Sequence, residues 1–383
     1  QKITIKNIPI VRDVETMVNL LATIGSSVKL NKNKKTIKII NNRPLKTFAP
    51  YSLVKTMRAG VLVLGPLLAK YGAAKVSLPG GCSIGSRPID LHLNALKKMG
   101  ADIKVKNGYI LASAKKGLKG CLIKFPKISV GATQNILIAS CFSKGKTKLR
   151  NCASEPEVQD LIDFLKKMGC KINRLGKRSL DIEGIESSKS AIHRIIFDRI
   201  EACTYIIAAA VTNGKIKITN IDPKIISNEI KFLNKMNVKI VRKKNYVLVT
   251  CPKRIYGTNV ETRPYPGFPT DLQAQMMVLM TKAEGKSMIV ENIFENRFMH
   301  VSELRRMGAH IEVDGNRAKI YGGHKLYGAE LMATDLRASV CLVLAGLFSK
   351  GKTIINRLYH LDRGYEKIEK KLASCGAHIK RIR

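Results

Sequence analysis

One cysteine of this sequence stands where it could react. Cys82 lies in Pro79-Gly-Gly-Cys82-Ser-Ile-Gly-Ser-Arg87-Pro-Ile-Asp90-Leu, a Gly/Ser-rich loop that leaves a thiol accessible beside an arginine able to lower its pKa. Such a thiol suits a nucleophile or a general acid. The others among the nine cysteines stand mostly in apolar or strand-like contexts, such as Ser140-Cys141-Phe142 and Val340-Cys341-Leu342, and read as small buried hydrophobes. Arginines mark a second chemistry. Arg87, Arg297 in Glu295-Asn-Arg297-Phe, and Arg363 in Asp362-Arg363-Gly364 occupy matching places ahead of a helix-ending residue, while Arg58, Asp271, Asp335 and Arg337 stand where other helical segments start. Helix N-termini favour anions through their unpaired N–H groups and dipole. Arginine at several equivalent ends makes a site for a small, multiply charged anion bearing phosphate or carboxylate, which a guanidinium can fork. Taken singly, each arginine is better explained by a surface salt bridge; the recurrence of the position argues for a site. Asp271, in Phe268-Pro-Thr-Asp271-Leu-Gln, is a candidate base, although a carboxylate after Thr near a helix start is more often a cap.

The elements that must position these residues repeat. One pattern recurs six times: Leu21-Ala-Thr-Ile24-Gly25, Leu96-Lys-Lys-Met99-Gly100, Leu165-Lys-Lys-Met168-Gly169, Leu233-Asn-Lys-Met236-Asn237, Leu304-Arg-Arg-Met307-Gly308 and Leu372-Ala-Ser-Cys375-Gly376. Each reads as an amphipathic helix ended by a left-handed Gly or Asn and followed by an alternating strand. Between them run helices apolar on nearly every face, hence buried, such as Ile136–Phe142, Tyr205–Val211, Met276–Met280 and Val340–Phe348. Each of these also ends at a Gly (Gly145, Gly214, Gly285, Gly351) that opens a further strand. Three units precede the polar stretch Glu186–Ser190 and three follow it. The pattern predicts an α/β protein of two pseudo-threefold domains, residues 1–196 and 197–383, each with helices inside and sheets outside. A continuous solenoid is the alternative.

Composition narrows the function. A chain of 383 residues, 45% apolar, fills two cores, and no apolar run approaches the roughly 20 residues of a membrane span. With no signal-peptide pattern, a cytoplasmic protein without a membrane role is expected, its thiols reduced. A net charge of +40 invites a nucleic-acid-binding reading. The lysines are spread along the chain rather than gathered with interleaved aromatics, which argues against a specific nucleic-acid partner and leaves salt-sensitive adhesion to polyanions. The histidines show no metal spacing, and His300 reads as packed rather than catalytic.

Read in order, Pro79-Gly-Gly-Cys82 with Arg87-Pro-Ile-Asp90-Leu, Lys127-Ile-Ser-Val130-Gly-Ala-Thr, Phe268-Pro-Thr-Asp271, Phe294-Glu-Asn-Arg297-Phe-Met-His300, Thr334-Asp-Leu-Arg337-Ala-Ser and Asp362-Arg-Gly-Tyr-Glu366 resemble the successive motifs of the UDP-N-acetylglucosamine enolpyruvyl transferases. The sister shikimate-pathway enolpyruvyl transferases share the implied fold, but their loop signature is not found here. The resemblance implies two inside-out α/β barrels closing over a cleft and no metal or organic cofactor. It implies transfer of enolpyruvyl from phosphoenolpyruvate to the sugar 3-hydroxyl by addition and then elimination of phosphate, the first committed step of peptidoglycan synthesis, by a monomer. It makes Cys82 the general acid toward the phosphoenolpyruvate methylene, able to form a covalent thioketal and to be alkylated by an epoxide such as fosfomycin, and it makes Asp271 the base. Arg87 and Arg363, with Arg297 and Arg337 nearby, would hold phosphate and carboxylate. The nucleotide sugar would lie along Arg58, Arg87, Pro88, Ile89, Asp90, Leu91, Lys127, Ile128, Ser129, Val130, Asp271 and Ile293, with Asp335 beside it.

The repeat carries one further expectation. Lys2-Ile-Thr-Ile-Lys matches a Gly-opened strand such as Lys146-Thr-Lys-Leu-Arg, with no buried helix ahead of it. By resemblance that first helical part carries a Lys-Asn pair on phosphoenolpyruvate, so the chain as written is expected to be poorly stable and to have little or no transferase activity.

Overall fold

A residue in the left-handed region stops each of the six amphipathic helices, as the repeat predicts. The computed structural model describes residues 2–41, 44–80 and 89–382. In it Gly25, Gly100, Gly169, Asn237, Gly308 and Gly376 have φ between 71° and 105°, a region that costs other L-residues about 1–2 kcal/mol. They follow the helices Arg12–Thr23, Asp90–Lys98, Pro156–Lys167, Ser227–Lys235, Val301–Arg306 and Ile368–Ser374. The helix Pro156–Lys167 shows how the pattern works: Pro156 opens it, Val158, Ile162 and Leu165 turn inward on one face, and Lys166 and Lys167 end it in solvent.

After five of the six helices the expected strand forms: Ser27–Asn31, Asp102–Lys106, Lys171–Arg174, Lys239–Arg242 and His310–Asp314. Each pairs antiparallel with the next strand in the chain, as Asp102–Lys106 does with Tyr109–Ser113 across Asn107 and Gly108, both of positive φ. The sixth expectation fails. Residues 377–382 form no strand.

The apolar segments form the buried helices. In Gln273–Lys282 only Lys282 escapes burial, and in Arg199–Val211 only Glu201 and Tyr205 do. Leu64–Tyr71, Val130–Ser140 and Leu336–Gly346 are equivalent. At Arg199–Val211 the left-handed residue is Asn213, φ 53°, not the expected Gly214; Asn accepts this backbone nearly as well as Gly.

Outside these helices lie six sheets among the described residues. In five, the first strand of the unit pairs antiparallel with the second strand of the hairpin, and in four of these it also pairs parallel with a short strand on its other side, as Lys146–Arg150 does with Ser179–Glu183 and Leu122–Lys124; the sixth holds only the parallel pair Glu330–Met332 and Ile354–Asn356. The chain divides into two units, one ending at Ile196 and the next starting at Phe197. Each has three sheets and its own apolar core, one drawn from Leu20 to Ile182, the other from Ile200 to Leu372. In the first unit Lys2–Lys6 pairs in parallel with Ala191–Arg194, Ile3 opposite Ala191. That pairing joins the two ends of the unit and is incompatible with an open solenoid.

Candidate active site

The turns ahead of Gln273–Lys282 and of Val301–Arg306 and the start of Leu336–Gly346 bring three charged side chains of the second unit together. Asp271 lies in the 3-10 turn Thr270–Leu272 that leads into Gln273–Lys282. Its Oδ1 accepts from Arg297 Nη2 at 2.7 Å and its Oδ2 from Arg337 Nη2 at 3.1 Å. Both arginines are largely out of solvent, with 4% and 13% of their side chains exposed, whereas Asp271 keeps 44% and so remains reachable from one side. Crowding by neighbouring atoms would push the Asp271 pKa up; the Arg337 and Arg297 guanidiniums more than offset it and hold the carboxyl well below the usual carboxylate range.

Arg337 is fixed at its other end. Its Nη1 donates to the Tyr365 hydroxyl at 3.2 Å, and Tyr365 is 2% exposed. The Thr204 hydroxyl gives its proton to the carbonyl of Ile200 at 2.8 Å, so at 3.1 Å it accepts from Tyr365. Tyr365 thus donates to Thr204 while accepting from Arg337 and from Gln275 Nε2, the latter at 3.3 Å. Gln275 Nε2 also donates to the main-chain oxygen of Asp271 at 3.1 Å. The Asp271 turn and the Arg337 guanidinium are therefore held by one polar network.

Asp335 caps the helix Leu336–Gly346, its Oδ1 accepting from the N–H groups of Arg337 at 2.8 Å and Ala338 at 3.1 Å. Its carboxylate is thereby engaged in launching Arg337. Arg363 ends the 3-10 turn Leu361–Arg363, and the following Gly364 lies so close to that helix that a Cβ would meet Leu336 at 2.9 Å. His300, 2% exposed, is pushed down to about 4, mainly by burial, with Asp335 opposing and Arg297 assisting, and is neutral at physiological pH.

In the first unit Arg58 opens the 3-10 helix Arg58–Val63, and Ile89 and Asp90 start the helix Asp90–Lys98. Leu91 is buried in the core, so only its backbone is available to a ligand. Next to it His92, 2% exposed, is pushed down to about 4 by burial and then by Arg58, against Asp90. Its Nδ1 lies 2.9 Å from Asn135 Nδ2, and Asn135 Oδ1 accepts from Gly65 N at 2.9 Å. These bonds lock the start of Asp90–Lys98 to the helix Val130–Ser140, whose N-cap Ser129 accepts from Ala132 N at 3.3 Å. Lys127 is exposed ahead of that cap, and Ile128 and Val130 lean on the core. Cys82, Arg87 and Pro88 lie outside the described residues.

Comparison with known proteins decides the family. The family described as EPSP synthase (3-phosphoshikimate 1-carboxyvinyltransferase) matches residues 1–372. The chain is 60% identical to the UDP-N-acetylglucosamine 1-carboxyvinyltransferase of Pelagibacter ubique over 382 residues, covering 100% of this chain and 91% of that protein. The chain belongs to the UDP-N-acetylglucosamine 1-carboxyvinyltransferases. The enzyme of the same name from Rickettsia felis is 51% identical across 100% of this chain and 91% of its own length. Among solved structures, the enolpyruvyl transferase NikO from Streptomyces tendae superposes with a TM-score of 0.89 at 24% identity, covering 99% of this chain and 90% of that one, a likeness of fold. As a 1-carboxyvinyltransferase the chain is a transferase, and neither the nucleic-acid reading nor the shikimate-pathway one is needed. No helix of the described residues is long and apolar enough to cross a membrane.

For a member of this family, the residues singled out from sequence sort cleanly. Asp271, Arg297 and Arg337 form one cluster; Asp335 and Ser129 are caps; Leu91 is core. Thr204 and Gln275, which tie the Asp271 turn to Tyr365, were missed; their signal was a polar side chain in an otherwise apolar helix, which binary patterning treats as noise.

Proposed function

We propose that this chain transfers the enolpyruvyl group of phosphoenolpyruvate to the 3-hydroxyl of UDP-N-acetylglucosamine and releases inorganic phosphate, in the cytoplasm and as a monomer. The observation that carries this reading is the carboxylate of Asp271 shared between Arg297 and Arg337 with one side open. An acceptor hydroxyl placed there finds a base, and an anion arriving there finds two guanidiniums. In the addition step the sugar oxygen bonds to C2 of phosphoenolpyruvate, its proton passes to Asp271, and Cys82 supplies a proton to the methylene carbon. In the elimination step the new methyl loses a proton, the double bond re-forms and phosphate departs with the C2–O electron pair. Arg297, Arg337, Arg363 and Arg87 stabilise phosphate and carboxylate while charge moves. Arg58, Asp90, Lys127, Ile293 and the backbone from Pro88 to Leu91 and from Ile128 to Val130 serve the nucleotide sugar.

The test is phosphate release. Phosphoenolpyruvate incubated with the protein should yield phosphate only when UDP-N-acetylglucosamine is added, with the enolpyruvyl ether detected by mass. Release with shikimate 3-phosphate in its place, or release that ignores the acceptor, overturns the proposal.

A further inference from the structure

Glu291, just past the end of the strand Lys286–Val290, is 3% exposed. A carboxylate buried that far is costly unless donors meet it. Four do. Oε1 accepts from the Thr262 hydroxyl at 2.9 Å, from Ile293 N at 2.8 Å and from Phe294 N at 3.2 Å, and Oε2 accepts from the Thr270 hydroxyl at 2.8 Å. None of these four is a cation, so the carboxylate is used here for its geometry as an acceptor at both ends. Thr262 has no exposed surface, and its oxygen accepts from Asn292 N at 2.9 Å while it donates to Glu291. One side chain thus ties two separate segments: Thr270, immediately before Asp271, and the main chain of Ile293 and Phe294. The Ile293 side chain, 37% exposed, stands in solvent on that anchored backbone.

We infer that Glu291 is a positioning residue for the acceptor substrate, fixing the span between the Asp271 turn and Ile293 so that a sugar nucleotide resting on Ile293 presents its hydroxyl to Asp271. The inference rests on the proposal that Asp271 is the base and UDP-N-acetylglucosamine the acceptor. Supporting side chains of this kind hold reacting groups within a fraction of an ångström, and misplacement by about 1 Å costs on the order of 10²-fold in rate.

Two variants of the full chain test it. Glu291→Asp keeps the charge but is one methylene too short to hold both segments. Glu291→Gln keeps the length, and the Thr270 hydroxyl can rotate to accept from the new amide. Expected is a fall of roughly 10²-fold in kcat/KM for UDP-N-acetylglucosamine in Glu291→Asp, an unchanged KM for phosphoenolpyruvate, and substantial rescue in Glu291→Gln. A merely structural role would lower the folded fraction and leave both KM values alone. Parent-like kinetics in Glu291→Asp, or a KM for phosphoenolpyruvate that rises along with that for UDP-N-acetylglucosamine, overturn the inference. If the parent itself releases no phosphate with UDP-N-acetylglucosamine, the substrate reading fails, and hydrogen exchange decides the positioning: the Ile293 and Phe294 amides should lose protection in Glu291→Asp while the helix Gln273–Lys282 keeps its own. Unchanged protection at Ile293 then overturns it.

Discussion

Two guanidiniums share the charge of Asp271, which shapes both its chemistry and its response to acid. Asp271→Asn keeps the shape but removes the proton acceptor. The expected outcome is a loss of about 10²–10⁴-fold in phosphate release, the usual weight of a general base, with UDP-N-acetylglucosamine binding by calorimetry largely retained. A folded variant that turns over normally would assign the base elsewhere. The same carboxylate contributes to stability in a defined pH window. Its folded pKa is depressed, so its contribution is fully present above the unfolded value of about 3.9 and is lost as pH falls from there toward the folded value. In urea titrations the parent should therefore exceed Asp271→Asn by a constant margin from pH 7 to 5, and by a shrinking one below about pH 4. A margin that widens on acidification would contradict the two ion pairs.

Elements in this fold stop on single residues, and the cost of each stop can be isolated. A Cβ added at Gly100 meets nothing within 4 Å, so Gly100→Ala meets only the strain of φ 96°. It should lose about 1–2 kcal/mol in urea denaturation. Asn237, at φ 71°, already bears a side chain in this region, and its Nδ2 donates to the Arg254 carbonyl at 3.0 Å, so Asn237→Gly should lose only that bond, about 0.5–1 kcal/mol, while Asn237→Ala also meets the backbone strain and loses about 1–2 kcal/mol more. Equal stability of Gly100→Ala and the parent would show that the left-handed stop is not required. These stops were legible in the sequence because Gly or Asn after Leu-x-x-Met, with Ile24 and Cys375 in place of Met in the first and last repeats, is a local signal, set by sterics within one residue. The buried helices were legible from their apolar runs. What sequence did not expose depends on distance in the chain: the Arg337–Tyr365–Thr204 network joins residues up to 161 positions apart. At the site, Asp271, Arg297 and Arg337 were visible as charges at helix starts, but their convergence on one carboxylate was not. Glu291 was invisible because a carboxylate accepting only neutral donors has no charge partner to suggest it.

At the scale of the whole molecule, the chain carries a net charge of +40, and both substrates proposed for it are anions. Such a field speeds encounter and is screened once the Debye length shrinks to about 8–10 Å at 0.1–0.15 M salt. We expect kcat/KM to fall with ionic strength between about 0.02 and 0.3 M while kcat changes little; stopped assays of phosphate release at several salt concentrations would measure it. Equal sensitivity of kcat would place the effect in the chemistry instead of the approach. Stability at this scale rests on two separate cores, and the first of them is closed in an unusual order. The strand Lys2–Lys6 finds its hairpin neighbour Thr36–Ile40 early, but its parallel partner Ala191–Arg194 lies at the far end of the unit, as the bond from Asn7 to Ile195, 188 residues apart, marks. On a ribosome adding about 5–20 residues per second, one edge of that strand waits roughly 10–40 s for its mate. Through that interval it is an open template, and the lysines at both of its ends, Lys2 and Lys6, are the residues that discourage a second nascent chain from taking the vacant place.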